Sequence, residues 1–121
     1  MRLLDNLFYV RNLEVSEKGE AHAVLTPNCS HVIYKAHFPN SPITPGVCLL
    51  EMVTELVGDV WGGGLRLKEV ANLKFLNVLV PYEGCEIMCD MRYDNATHGV
   101  QAEVRKSETV YAKMSLRFEL E

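Results

Sequence analysis

The sequence predicts one α+β domain, residues 1–121, in which a curved antiparallel β-sheet wraps around one long central helix. From Gly46 to Trp61 the chain is apolar nearly all round, with its polar residues on one narrow stripe at helical spacing, so other elements should bury it. The remaining segments alternate like strands, and short connections between the last three favour an antiparallel meander. One helix cannot cover a six-stranded sheet on both faces, which favours a sheet curved around the helix.

Period-two alternation predicts two strands before the helix and about four after it. Three consecutive glycines at 62–64 should end the helix. The segment 65–80 is long enough for one bent strand or two. Helical turns are predicted at residues 2–7 and 30–34. The other strands are predicted at residues 8–15, 20–27, 85–93, 100–106 and 110–120.

Composition excludes several classes of protein. The chain has 121 residues, of which 48 % are hydrophobic and 23 % charged, and this suits a soluble globular domain with a real core. A net charge of -4 argues against a nucleic-acid surface built on bulk positive charge. The most apolar stretch, 46–61, carries three acidic residues and is too short to span a bilayer, and the N-terminus lacks the pattern of a signal peptide. No membrane partner is therefore expected.

The cysteines favour a reducing compartment. They form no CxxC pair, and no His/Cys cluster has the spacing of a zinc site. We therefore expect four reduced thiols in a cytoplasmic protein. These residues are Cys29, Cys48, Cys85 and Cys89.

The stretch from His37 to Glu51, HFPNSPITPGVCLLE, is the candidate site. Its three prolines restrict the loop, which then loses little entropy on holding a fixed shape. His37 is the natural general base, because an imidazole accepts a proton near neutral pH without a large shift in its pKa. Glu51 lies on an otherwise apolar helix. Burial there would raise its pKa and keep it protonated, as a general acid requires.

The helix start adds a further chemical group. Amides in the first helical turn lack internal partners, so Gly46 and Val47 could stabilise an oxyanion through their N–H groups. Glu51 follows Gly46 by about 7.5 Å along the helix axis. Glu55 could form hydrogen bonds around the site or be exposed on the outer stripe of the helix, and the sequence favours exposure. His22 should be solvated on the polar face of its strand.

The motif formed by His37-Phe38-Pro39, Pro42, Pro45-Gly46-Val47 and Glu51 resembles the signature of the β-hydroxyacyl-acyl-carrier-protein dehydratases of fatty-acid synthesis. A second match is Lys74-Phe75 followed by Pro81. That family has the hot-dog fold, a curved antiparallel sheet around one long helix. The sequence departs from the family at Ala36 and Asn40, where glycine is usual, and it lacks a counterpart of the family's longer N-terminal segment.

The resemblance implies a cofactor-free, metal-free hydro-lyase that converts 3-hydroxyacyl thioesters on acyl carrier protein into trans-2-enoyl thioesters, in fatty-acid or related acyl-chain biosynthesis. His37 and Glu51 would be the catalytic pair, with Gly46 and Val47 as amide donors. The family forms this pair across a homodimer interface, and dimer and trimer of dimers both remain open. The sequence alone does not decide whether His37 pairs with Glu51 of its own chain.

Several alternatives remain at this point. A hot-dog thioesterase would release a free thiol, and a non-catalytic acyl-carrier-binding subunit would bind without turnover. A role in lining an acyl tunnel competes with simple core packing at Phe38, Leu50 and Phe75.

Overall fold

The computed structural model describes residues 2–36, 40 and 42–121. The described residues form one six-stranded antiparallel sheet, in the order β1-β2-β4-β5-β6-β3, with a long central helix. The predicted architecture, a curved antiparallel sheet around one helix, is confirmed. The elements are β1 (Phe8–Val15), β2 (Glu20–Pro27), α1 (Val32–Ala36), α2 (Gly46–Trp61), β3 (Leu65–Phe75), β4 (Ile87–Asp94), β5 (Gly99–Lys106) and β6 (Thr109–Leu120).

Residues 65–80, for which the sequence allows one bent strand or two, contain a single strand, β3. β3 ends at Phe75, and the chain then leaves the sheet to form an isolated bridge between Leu79 and Thr44. The amide of Thr44 donates to the Leu79 carbonyl at 2.8 Å, so this segment supports the loop before α2. At the other end of the chain, residues 5–7 form a hydrogen-bonded turn, in which the Leu7 amide donates to the Leu3 carbonyl at 2.8 Å.

Helix α2 contributes one apolar face to the core. Pro45, with φ of -59°, precedes the helix, and Gly62 follows it with φ of 134°, a conformation that glycine adopts most readily. Neither helix of the described ranges is long and apolar enough to cross a membrane. The buried residues of α2 are Cys48, Leu49, Met52, Val53, Leu56 and Val57.

The sheet face directed away from α2 is polar. His22 is exposed there, as predicted, and its Nδ1 lies 2.8 Å from an oxygen of Asp90. The other oxygen of Asp90 accepts a hydrogen bond from Arg105 Nε at 2.8 Å. Burial opposes ionisation of Asp90, but these two hydrogen bonds hold the pKa of its carboxyl below the usual value. Two residue pairs along the same strands, and therefore on the same face, Glu20 stands opposite Arg92.

Strand β3 leaves one edge of the sheet open. It pairs with β6 on one side, and no other strand among the described residues pairs with its second side. Exposed apolar side chains continue from this edge into the following segment. Unpaired strand edges and contiguous apolar surface are both typical of association sites. These side chains are Val70, Phe75, Leu76, Val78 and Val80.

Candidate active site

The predicted amide donors, Gly46 and Val47, lie in the first turn of α2. The Cys48 amide donates to the Pro45 carbonyl at 2.9 Å. The amides of Gly46 and Val47 have no acceptor within the part of the chain that the structure describes. Val47 is 67 % exposed, so this first turn is open to a ligand. Free N–H groups at a helix start form a ready site for developing negative charge.

Phe75 lies directly against Gly46. A Cβ atom on Gly46 would lie 2.6 Å from Cζ of Phe75 and 2.8 Å from each of its Cε atoms, closer than real contacts allow. Only glycine permits this packing of backbone against ring. The ring is nevertheless 50 % exposed, so two predicted site residues meet at an open surface. Leu50, a predicted tunnel residue one turn along α2, is partly buried and packs against the core.

The structure places Glu51 on the surface of the single chain, so the expectation that the helix buries it is wrong. The adjacent apolar residues point to the opposite side of α2, whereas Val47 and Glu51, four residues apart, share the exposed stripe. The pKa of Glu51 is nevertheless raised, first by partial desolvation and then by a hydrogen bond and the charge of Glu55. The predicted direction of the pKa shift is therefore confirmed, with a neighbouring carboxyl adding to it.

Glu55 is largely buried, so the prediction of an exposed Glu55 is wrong. Its side chain is only 9 % exposed. The Leu3 amide donates to both carboxylate oxygens at 2.9 Å, and the Leu4 amide donates to one of them at 2.8 Å. Sequence patterns did not favour a hydrogen-bonding role for Glu55, because its donors are backbone groups, which nearly every residue carries.

The predictions for His37 and Phe38 concern residues outside the described ranges. The described residues on either side of that stretch are tied together by a buried hydrogen bond, 2.8 Å long, between the hydroxyls of Tyr34 and Thr44. Both residues are buried, at 3 % and 5 % exposure. Burial raises the pKa of Tyr34 to about 12. Sequence patterns did not predict this contact, because neither residue belongs to a periodic pattern.

Tyr34→Phe and Thr44→Val should each destabilise the fold by about 1–3 kcal/mol, because each single change leaves a buried hydroxyl without its partner. The double variant should cost clearly less than the sum, since no unpaired hydroxyl remains. Urea denaturation of the four proteins measures this. Tyr82→Phe, at an exposed position, is the matched control and should be neutral. Strictly additive losses would contradict the pairing.

Two cavities lie away from the predicted site residues. One, of about 440 Å³, is a polar trough on the outer sheet face between the side chains of His22 and Lys113. The other, of about 630 Å³, lies at the end of α2 beside Trp61 and Tyr93. Neither is lined by Gly46, Glu51 or Phe75, so neither provides an acyl pocket beside the free amides.

The six antiparallel strands around one long central helix give this chain a hot-dog fold. The chain belongs to the ApeI-like family of dehydratases, whose family model, described as ApeI dehydratase, matches residues 13–115. The resemblance to hot-dog dehydratases that the motif predicts is thereby confirmed.

Solved structures support the fold. The dehydratase heterocomplex ApeI:P from Xenorhabdus doucetiae matches with a TM-score of 0.81 and 18 % identity, over 91 % of this chain and 96 % of the other. An uncharacterised protein from Erwinia carotovora subsp. atroseptica matches with a TM-score of 0.74 and 14 % identity, over 93 % of each chain. An inactive mutant of the CurK dehydratase, with histidine replaced by phenylalanine, gives a TM-score of 0.61 and 15 % identity, over 95 % of this chain and 43 % of that one. None of the curated proteins is detectably similar in sequence.

Proposed function

We propose that this protein dehydrates 3-hydroxyacyl thioesters carried by acyl carrier protein, giving trans-2-enoyl thioesters in fatty-acid or related acyl-chain biosynthesis. One observation supports this most directly. In a chain of a dehydratase family, the amides of Gly46 and Val47, which meet no acceptor among the described residues, lie at the start of the helix that carries the exposed Glu51. The four free thiols favour the cytoplasm as its compartment.

The elimination needs three groups. His37 removes a proton from C2 of the thioester, and the amides of Gly46 and Val47 stabilise the enolate oxygen that develops. Glu51 gives its proton to the C3 hydroxyl, the C3–O bond breaks, and water leaves as the C2–C3 double bond forms. The inactive CurK mutant, in which a histidine is replaced, is consistent with an essential histidine in such enzymes. No metal or redox cofactor enters this scheme.

A second chain would complete the site. Glu51 is exposed, and β3, whose second side is unpaired among the described residues, ends at the half-exposed Phe75, which packs against Gly46. We propose a homodimer in which the β3 edges meet and each site combines His37 of one chain with Glu51 of the other. A related but different chain is the second candidate partner, since the similar ApeI structure is a heterocomplex. Phe38, Leu50 and Phe75 would then line the acyl tunnel.

The test is to incubate the purified protein with a 3-hydroxyacyl carrier protein and to follow enoyl absorbance. His37→Ala and Glu51→Gln should each lower the rate by about 100-fold to 10,000-fold. Glu108→Gln, in an exposed turn, is the matched control and should keep the wild-type rate. Release of free thiol would identify a thioesterase instead. Binding of the carrier without turnover would identify a non-catalytic subunit.

A further inference from the structure

Thr44, two residues before the start of α2, is held by two separate elements of the fold. Its amide donates to the Leu79 carbonyl at 2.8 Å, in the isolated bridge that follows β3. Its hydroxyl shares a hydrogen bond of 2.8 Å with the hydroxyl of Tyr34, which lies in α1. All three residues are buried. The chain that enters α2 is therefore fixed at Thr44 before the helix begins.

The position of Thr44 determines where the first amides of α2 lie. Only Pro45 separates Thr44 from Gly46, and the proline ring allows little variation in its φ, here -59°. The ring of Phe75, packed against Gly46, restricts the same turn. A displacement of Thr44 would therefore move the N–H groups of Gly46 and Val47, the proposed donors to the thioester oxygen.

The same hydrogen bond joins the two flanks of the stretch that carries His37. Tyr34 precedes that stretch and Thr44 follows it, ten residues further along the chain. A segment whose ends are tied together has fewer conformations than one whose ends are free. Pro39 and Pro42, which lie between them in sequence, reduce the number again. One buried contact thus constrains both the chain that bears the base and the start of the helix that bears the amide donors.

We propose that Tyr34 and Thr44 are positioning residues of the active site, whose paired hydroxyls align the stretch that carries His37 with the Gly46 and Val47 amides. This inference rests on the proposed function, since it concerns the alignment of groups in that reaction. Neither hydroxyl touches a reacting atom, because both are buried and are bonded to each other. Alignment matters to the rate, since a misplacement of about 1 Å can slow a reaction about 100-fold.

The hydroxyl pair keeps one protonation state over the working pH range. Burial raises the pKa of Tyr34 to about 12, and a threonine hydroxyl does not ionise in this range. Loss of the pair should therefore lower the rate by the same factor at every pH. Loss of a general acid or base would instead change the shape of the pH profile.

The experiment compares wild type, Tyr34→Phe, Thr44→Val and the double variant by steady-state dehydration and by urea denaturation. Each single variant should lower kcat about 10-fold to 100-fold with little change in KM, and by one factor from about pH 6 to about pH 9. The double variant should be more stable than the two separate losses predict, because no hydroxyl is left unpaired, yet it should remain as slow as the slower single variant. Thr44→Ser keeps the hydroxyl and should keep a rate close to that of the wild type. Tyr82→Phe, at an exposed position, is the matched control for both measurements.

A pair that only stabilises the fold would give a different result. The rate of the double variant would then recover together with its stability, and this outcome would overturn the proposal, as would wild-type kcat in both single variants. If a single variant does not fold, the double variant and Thr44→Ser still make the comparison.

An inactive wild type would refute the dehydratase function instead. Hydrogen exchange at the Thr44 and Cys48 amides, which donate to Leu79 and Pro45, would then test the positioning without turnover. Faster exchange of both amides in the double variant, at unchanged global stability, would support the alignment of the helix start by the hydroxyl pair. Exchange equal to that of the wild type would contradict it.

Discussion

A mixture of His37→Ala and Glu51→Gln chains should recover about a quarter of the wild-type dehydratase activity, although each variant alone is nearly inactive. If each site takes His37 from one chain and Glu51 from the other, a mixed dimer contains one intact site and one doubly defective site. Random exchange makes about half of the dimers mixed, and half of their sites work. The exposed Glu51 and the open β3 edge are the structural basis of this expectation.

The complementation experiment requires co-expression or refolding of the two variants, with native mass spectrometry to show that chains have exchanged. A double variant, His37→Ala with Glu51→Gln, mixed with either single variant serves as the control and should restore nothing. Proven exchange without recovery of activity would place both residues of a site in the same chain. Recovery only with a different, related chain would favour a heterocomplex.

Leu56→Ala should lower the free energy of unfolding by about 2–5 kcal/mol, the second large effect that we expect. Leu56 is 1 % exposed and stands near the middle of α2, where the sheet surrounds it. Removing its side chain loses buried apolar surface and leaves a cavity that a close-packed core cannot fully close. Urea denaturation at one fixed protein concentration measures the change, because association would otherwise shift the transition.

Leu120→Ala is the matched control for this prediction. Leu120 lies at the end of β6 and is 67 % exposed, so the same truncation should cost less than about 0.5 kcal/mol. Equal losses at the two leucines would mean that α2 is not the centre of the core.

The elements could be predicted from sequence because their periodicity is strong. β1 and β2 have the predicted bounds, and α2 begins and ends at the predicted residues. Apolar residues two apart in a strand, or three and four apart in a helix, must share a face that needs cover. The same reasoning predicted the antiparallel meander of the last three strands, because their connections are too short for a crossover.

The site was predicted less completely, for a physical reason. Periodicity shows which residues share a face, but it does not show whether the same chain, another chain or solvent covers that face. Glu51 was therefore expected to be buried and is exposed in one chain, whereas Glu55 was expected to be exposed and is covered by backbone. The hydroxyl pair of Tyr34 and Thr44 was missed because such a contact depends on the fold of the intervening loop.

The charge pairs on the outer sheet face have a consequence for how the strands find their alignment. A one-residue slip of β2 against β4 would expose the core face, so the apolar pattern already excludes it. A two-residue slip keeps every apolar side chain directed into the core, so the burial of apolar surface does not disfavour it. In the native alignment Glu20 stands opposite Arg92 and His22 opposite Asp90. Sliding by two residues would place Glu20 opposite Asp90 in one direction, or opposite Asp94 in the other, and like charges directly opposite are unfavourable. The charge pairs on the solvent-exposed face therefore favour the native alignment of β2 and β4 over a two-residue slip, which the packing of the core does not disfavour.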